Sequence, residues 1–136
     1  MPRTRTCTQA IRSGRMRKAN QFLAAADNLV RSDANETAEI ADAYVTLCVH
    51  SAIAASDVVC CVSLGEHAQG DNHIDAVTLL RKADPDSAKH LDRLLRMKTK
   101  AGYSHITATT DDCKRAYRAA EALLEAARRA HALTGR

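Results

Sequence analysis

The stretch from residue 43 to residue 64 constrains the fold most, because it is almost entirely apolar and contains neither glycine nor proline. Its apolar positions recur every three or four residues, which is the spacing of a helix and not the alternation of a strand. A helix that is apolar on nearly every side must be buried on most of them. We therefore predict a central helix over residues 38–64, with the other helices of an all-α domain packed around it.

A membrane span is the alternative interpretation of this stretch, since its length is sufficient. However, Asp57 and His50 lie within it together with several hydroxyl side chains, and burying these groups in lipid is unfavourable. No belt of aromatic residues flanks the stretch either. The sequence therefore favours the core helix of a protein that does not associate with a membrane.

Apolar residues at helical spacing predict four further helices. They cover residues 16–30, 73–82, 85–100 and 111–132. Side chains suited to helix N-caps precede most helices. These are Asn35 before the central helix, then Asp71 or Asn72, then Asp84 followed by Pro85, and finally Thr109 or Thr110. The expected fold is an up-and-down bundle of four to five helices, forming a single domain over residues 18–136.

The basic residues at the start of the chain suggest an N-terminal arm. The first 18 positions hold six Arg or Lys residues and no acid, so the rest of the chain is slightly acidic although the net charge is +4. We expect residues 1–17 to form a basic, flexible arm, which either contacts phosphates or is a solvated leader. The arm has no apolar segment of the kind that a secretory signal requires.

The cysteines favour a reducing environment. There are five, an odd number, and no C-x-x-C motif occurs. Three of them lie in the predicted central helix, where cysteine behaves as a small apolar residue. We therefore predict neither a disulfide framework nor a zinc site, no other metal or cofactor, and a cytoplasmic location.

Two histidines, His67 and His73, lie in the polar segment after the central helix. Their acidic and amide neighbours are Glu66, Asp71, Asn72 and Asp75. Imidazole and carboxylate groups together could transfer a proton or bind a metal, but the spacing matches no defined metal site. Helix capping by Asp71 and Asn72 is the alternative explanation of this loop.

The helix predicted over residues 85–100 carries a basic stripe. Its members are Lys89, Arg93, Arg96 and Lys100, spaced four, three and four residues apart. Such a stripe can follow a phosphate backbone, or it can be an ordinary solvated face. The candidate nucleic-acid-binding residues are therefore these four and Lys98.

A second cluster follows at the end of that helix, comprising Lys98, Lys100, Tyr103 and His105. A histidine beside cations could move the proton of an RNA 2′-hydroxyl while the cations stabilise the phosphorane. The alternative is a histidine facing solvent and a tyrosine packed on the bundle. The candidate catalytic residues are thus His67, His73, His105 and Tyr103.

The order of these segments resembles that of bacterial HEPN-domain proteins. The resemblance covers roughly residues 18–131. It is carried by the small-residue core helix with AIAASD, the loop ending in His73, the basic helix running into MKTKAGY, and the alanine-rich last helix. It implies a helical bundle that pairs as a homodimer, and many members of the family are metal-independent ribonucleases that act as toxins or in antiviral defence.

The family's catalytic motif is an arginine followed four to six residues later by a histidine, and it is shared across the dimer cleft. His73 is the best match for the histidine, but no arginine lies between Glu66 and Ala68, and His67 is the nearest basic residue. Using His105 instead leaves Lys98 and Lys100 upstream. Neither lysine nor histidine reproduces the bidentate phosphate contact of arginine.

Two functions stay open on these grounds. The first is a HEPN-like protein that binds RNA or cleaves it as a metal-independent endoribonuclease. The second is a non-catalytic helical homodimer that binds another protein, such as an antitoxin. A small-molecule binder within the bundle is less compatible with an alanine-rich core and an aromatic content of 3%.

Overall fold

The computed structural model describes residues 2–31 and 37–134, which contain five helices and a short two-stranded ribbon. The helices are α1 (Gln9–Arg31), α2 (Thr37–Leu64), α3 (His73–Ala83), α4 (Pro85–Tyr103) and α5 (Thr110–Thr134). The strands are β1 (Thr4–Thr6) and β2 (Glu66–Ala68). This architecture confirms the prediction of an all-α bundle. The predicted N-cap Asn35 lies outside the described residues.

The helix α2 is the centre of the bundle and packs against α1, α4 and α5. Ala52, Ala54 and Ala55 are fully buried, so the neighbouring backbones can approach α2 closely. The buried hydroxyl of Ser51 is satisfied because it donates to the carbonyl oxygen of Ala19 at 2.8 Å. The predicted central helix is therefore confirmed in both its extent and its burial.

Of the described helices, α2 alone is long and apolar enough to cross a membrane, over Glu39–Leu64. Within its most apolar window, 67% of the residues are buried inside the bundle. Burial of this kind is what the core helix of a globular protein shows, because its apolar surface is already covered by other helices. The apolar character of α2 is thus accounted for by packing within the chain.

Local signals set the ends of the later helices. The Asn72 side chain accepts a hydrogen bond from the backbone N–H of Asp75, which selects Asn72 over Asp71 as the cap of α3. Asp84 caps α4 through Ser87, and Pro85 occupies the first turn as predicted. Both α4 and α5 extend beyond their predicted ends, by three residues and two residues respectively, at Tyr103 and Thr134.

The start of α5 is held by a reciprocal cap. The Asp112 carboxylate accepts from the backbone N–H of Thr109 at 2.9 Å, and the Thr109 hydroxyl accepts from the N–H of Asp112 at 3.0 Å. The same carboxylate accepts from Lys100 Nζ at 2.9 Å. The hydrogen bond from the Thr109 backbone, followed by that from Lys100, lowers the pKa of Asp112 below its ordinary value of 3.8.

We expect Asp112→Asn to lower the free energy of unfolding by about 1 kcal/mol at pH 7, the usual contribution of a helix cap. Because the folded-state pKa is depressed, this stabilisation is present above the ordinary pKa and is lost as the pH falls through the folded-state value. Urea unfolding at pH 7 and near pH 3 measures the difference. Asp111→Asn is the control, since the one ion pair of Asp111 within the described residues is an exposed pair with Arg115. An equal loss at both pH values would contradict this assignment.

The predicted flexible arm over residues 1–17 is wrong, and α1 begins at Gln9 instead of residue 16. Strand β1 pairs antiparallel with β2, with Arg5 opposite His67. Within α1, Arg15 Nε donates to Asp57 Oδ2 of α2 at 2.8 Å. Arg15, which the sequence places in the predicted arm, therefore neutralises the charge of Asp57, whose side chain is 15% exposed.

The prediction that no disulfide forms is also wrong. Cys7, just after β1, is bonded to Cys61 near the end of α2, 54 residues further along the chain. Cys48, Cys60 and Cys113 remain buried free thiols, as expected of small apolar core residues. Local cysteine spacing gave no indication of this bond, because the β1–β2 pairing that brings the two residues together is not a sequence-local feature.

Candidate functional site

A groove of about 490 Å³ lies between α3 and α4 and brings together two of the predicted site residues, His73 and Arg96. We call it the α3–α4 groove. Its lining comprises His73, Ile74, Val77, Thr78, Arg81, Asp92 and Arg96. A smaller depression of about 360 Å³ adjoins it and adds Lys89 and Arg93. The two cavities share Arg81, Asp92 and Arg96, so they form one continuous surface.

At the centre of the groove, one carboxylate joins a histidine to an arginine. His73 Nε2 lies 3.0 Å from Asp92 Oδ1, and Arg96 Nε donates to Asp92 Oδ2 at 3.0 Å. The hydrogen bond with His73, and then that with Arg96, lowers the pKa of Asp92 below its usual range. Asp92 is thus an anion that orients both the imidazole and the guanidinium.

Helical periodicity explains why these side chains meet. On α3, His73, Val77 and Arg81 are four residues apart and therefore lie along one face. On α4, Asp92 and Arg96 are related in the same way. The tight connection through Asp84 places the two helices side by side, so the two faces form the walls of a common groove.

Three cations on the groove have no ion-pair partner among residues 2–31 and 37–134: Arg81, Lys89 and Arg93. All three side chains are exposed. Asp92 is the one acid lining this surface in the described part of the chain, and it is already paired. The groove is therefore a positively charged surface whose outer cations are available to an anion.

Two members of the predicted basic set lie elsewhere. Lys100 is bound to Asp112 at the start of α5 and does not line the groove. Lys98 lies near His50 of α2, whose pKa is lowered first by burial and then by the charge of Lys98. The predicted set of nucleic-acid-binding residues is thus divided: Lys89, Arg93 and Arg96 lie on the groove, whereas Lys98 and Lys100 face other helices.

The second predicted cluster does not join this groove. Tyr103 is the last residue of α4 and is 79% exposed, so it does not pack on the bundle. His105 lies in the exposed connector to α5. Neither residue lines the α3–α4 groove.

His67 is separated from His73 and lines a different cavity, of about 370 Å³. That cavity also contains the Arg15–Asp57 pair and Asp71. Burial raises the pKa of Asp57, and the neighbouring Arg15 and His67 partly offset this effect. The His67 Nδ1 lies 2.9 Å from the carbonyl oxygen of its neighbour Ala68, which fixes the imidazole in β2.

Two residues of the groove were missed in the sequence, namely Asp92 and Arg81. Both carried a usable signal, because Asp92 is four residues before Arg96 and Arg81 is eight residues after His73. Within the described ranges, no three His, Cys, Asp or Glu side chains come together as a group that could hold a metal ion. The chemistry that the groove offers is therefore that of an imidazole, a carboxylate and guanidinium groups.

Comparison with protein-family models gives no match, and comparison with curated proteins gives none either. The function is accordingly inferred from the geometry of the groove.

Proposed function

We propose that the protein is a HEPN-like, RNA-directed protein that binds the phosphodiester backbone in the α3–α4 groove and cleaves it without a metal ion. The observation that carries this proposal is the His73–Asp92–Arg96 arrangement, with Arg81, Lys89 and Arg93 exposed beside it. A general acid–base group and anion-binding cations on one surface are what metal-independent phosphodiester cleavage requires.

The outer cations support binding of a polyanion. Exposed Arg and Lys side chains that lack an internal partner gain phosphate contacts without first breaking an ion pair. The scarcity of aromatic residues, 3% of the chain, leaves little surface on which bases could stack. We therefore expect contacts to the backbone to dominate, with weak dependence on base sequence.

The inner residues support chemistry. With His73 Nε2–H donating to Asp92, Nδ1 is the nitrogen that can accept a proton from an RNA 2′-hydroxyl. The 2′-oxygen then attacks the adjacent phosphorus, and the bond from phosphorus to the 5′-oxygen breaks. The products are a 2′,3′-cyclic phosphate and a 5′-hydroxyl, whose proton is returned by an acid. Arg96 and Arg81 would stabilise the charge on the phosphorane oxygens.

This arrangement also addresses the departure from the HEPN motif. The chain has no arginine four to six residues before His73. Arg96, joined to His73 through Asp92, and Arg81, eight residues after His73, offer guanidinium groups from the two walls of the same groove. An arginine clamp supplied by tertiary structure would serve the same role as one supplied by local spacing.

We propose a homodimer as the working assembly, in line with the HEPN resemblance, and a cytoplasmic location, where RNA is accessible. Ile74 at the edge of the groove is 74% exposed, and a second subunit would cover it. The same apolar residue beside exposed cations also favours the second candidate function, binding of an acidic protein partner such as an antitoxin. In that case the groove would bind carboxylates instead of phosphates.

RNA binding measured against salt concentration tests the proposal. We expect wild-type protein to bind a single-stranded RNA in EDTA with strong salt dependence. In Arg81→Gln/Arg93→Gln, the slope of log affinity against log salt should fall by about 1.4, or ~0.7 for each phosphate that the variant no longer neutralises. Neither substitution disturbs the His73–Asp92 contact, because neither arginine is paired with Asp92.

Lys114→Gln/Arg118→Gln is the matched control, since it removes the same charge from exposed positions on α5 that have no ion-pair partner among the described residues. Its slope should equal that of wild type. An equal loss in both double variants would indicate a net-charge effect and not a site. Absence of salt-sensitive RNA binding, combined with capture of an acidic protein by wild type that the groove variant loses, would favour the second candidate function.

A further inference from the structure

The residues before α1 hold the loop that leads to His73. Beyond the β1–β2 pairing, Cys7 N–H donates to the Gly65 carbonyl and Gln69 N–H donates to the Arg3 carbonyl, both at 2.9 Å. The Thr4 hydroxyl donates to Glu66 Oε2 at 3.1 Å. We call residues 3–8 the strap. The Cys7–Cys61 disulfide fixes the strap covalently to the end of α2.

The segment under the strap runs directly into the α3–α4 groove. After β2 the chain turns at Gly70, whose φ of +89° only glycine adopts readily. Asn72 then caps α3, and His73 is the first residue of that helix. The backbone from Gly65 to His73 is therefore anchored at one end by the strap and at the other by the helix cap.

Without the disulfide, the strap would depend on a ribbon of three residues per strand. An isolated two-stranded ribbon is at best marginally stable in water. Short exposed elements of this kind open by local unfolding while the core stays folded. The described core around α2 does not include β1, so release of the strap need not disturb the bundle.

We infer that the Cys7–Cys61 disulfide is a reversible redox clamp, which holds the strap on β2 and thereby sets the position of His73 in the groove. In the cytoplasm, the location proposed above, a disulfide is more often redox-sensing than structural. The inference rests on the proposed function for its effect on RNA, but not for its effect on the strap.

The exchange step has a defined direction. A thiolate of a dithiol reductant attacks the half-buried Cys7 Sγ, because Cys61 is only 4% exposed. The S–S bond breaks, and Cys61 leaves as a thiolate that takes a proton. The second thiol of the reductant then attacks the mixed disulfide and releases Cys7 as a thiol. Two electrons and two protons pass to the protein, and an excess of a small disulfide reverses the exchange.

The neighbouring Cys60 does not compete in this exchange. It is 2% exposed, and burial, reinforced by the charge of Asp57, raises the pKa of its thiol to about 12. A protonated, buried thiol is a poor nucleophile. The pairing therefore stays between Cys7 and Cys61 in each cycle.

Hydrogen exchange of wild-type protein, oxidised and then reduced with dithiothreitol, tests the clamp. We expect the amides of residues 3–8 and 65–70 to lose nearly all their protection after reduction, while those of α5 stay protected because the bundle remains folded, although its free energy of unfolding falls. Cys61→Ser should exchange like the reduced wild type under oxidising conditions. Cys113→Ser, which keeps the disulfide, should behave as wild type.

RNA cleavage is measured on the same samples, and we expect it to fall on reduction and to recover on reoxidation. Unchanged exchange of the strap would overturn the clamp, as would complete loss of protection in α5, which would show that the bundle unfolds without the bond and that the bond is a structural brace. Strap release with unchanged cleavage would overturn its link to His73. If the oxidised protein has no activity on RNA, the proposed function fails, and exchange alone still judges whether the clamp is local and reversible.

Discussion

His73→Ala is expected to lower the rate of metal-free RNA cleavage at least about 100-fold, since general acid–base catalysis contributes that much or more. RNA affinity should change little, because the unpaired cations Arg81, Lys89 and Arg93 remain. Single-turnover cleavage of a labelled RNA in EDTA gives the rate, and anisotropy at the same salt concentration gives the affinity. The loss of rate without loss of binding identifies a role in chemistry.

His105→Ala is the control for this experiment, because His105 is exposed in the connector before α5 and does not line the groove. It should leave the rate unchanged. The reverse result, with cleavage lost in His105→Ala and kept in His73→Ala, would move the site to the cluster around Tyr103. Asp92→Asn should lower the rate as well, because an amide orients the His73 imidazole less well than a carboxylate does.

Removal of the disulfide is expected to have a large effect on the stability of the protein. Cys7→Ser should lower the free energy of unfolding by about 4 kcal/mol, the chain-entropy estimate for a bond that links residues 54 apart. The bundle should stay folded, since its core of buried aliphatic residues around α2 is untouched. Guanidinium unfolding of the oxidised proteins gives the difference.

Cys113→Ser provides the comparison, as Cys113 is a buried free thiol of similar size. The decrease in the free energy of unfolding should be clearly smaller in Cys113→Ser than in Cys7→Ser. A change below about 1 kcal/mol in Cys7→Ser would contradict the assigned linkage, because closing a loop of this length always reduces the entropy of the unfolded chain in that model. Thiol counting under denaturing conditions should find three reactive thiols before reduction and five after it.

The bundle could be predicted from the sequence because its determinants are local. The apolar stretch around Ala52 has helical periodicity and no rival pattern, and Asp84-Pro85 marks a helix start by side-chain chemistry alone. At the start of α3, the two predicted N-caps, Asp71 and Asn72, differ by a single position. Such features depend on residues within one or two turns of each other, which sequence reading captures well.

The N-terminal part could not be predicted, because its structure depends on distant partners. Arg15 resembles a solvated cation until Asp57, 42 residues away, is placed beside it. Cys7 looks like a free thiol until β1 pairs with β2. Three-residue strands carry almost no alternation signal, so the sequence predicts an arm where β1 lies and a loop where β2 lies.

The candidate site falls between these two cases. His73 was identified from the loop chemistry, and the cations of α4 from their spacing, but their meeting depends on how α3 packs on α4. Asp92 was overlooked because an acid within a basic stripe reads as an ordinary helix-surface pair with Arg96. Only the juxtaposition of the two helices gives it a second partner, His73.

The central claim is that the α3–α4 groove binds the RNA backbone, and amide chemical shifts test it directly. Labelled protein would be titrated with an RNA oligonucleotide in which 2′-deoxy substitution blocks cleavage. The account predicts that the largest shifts lie in residues 73–81 and 89–96 and saturate together. Largest shifts in α5 or around His105, with the groove unaffected, would contradict it.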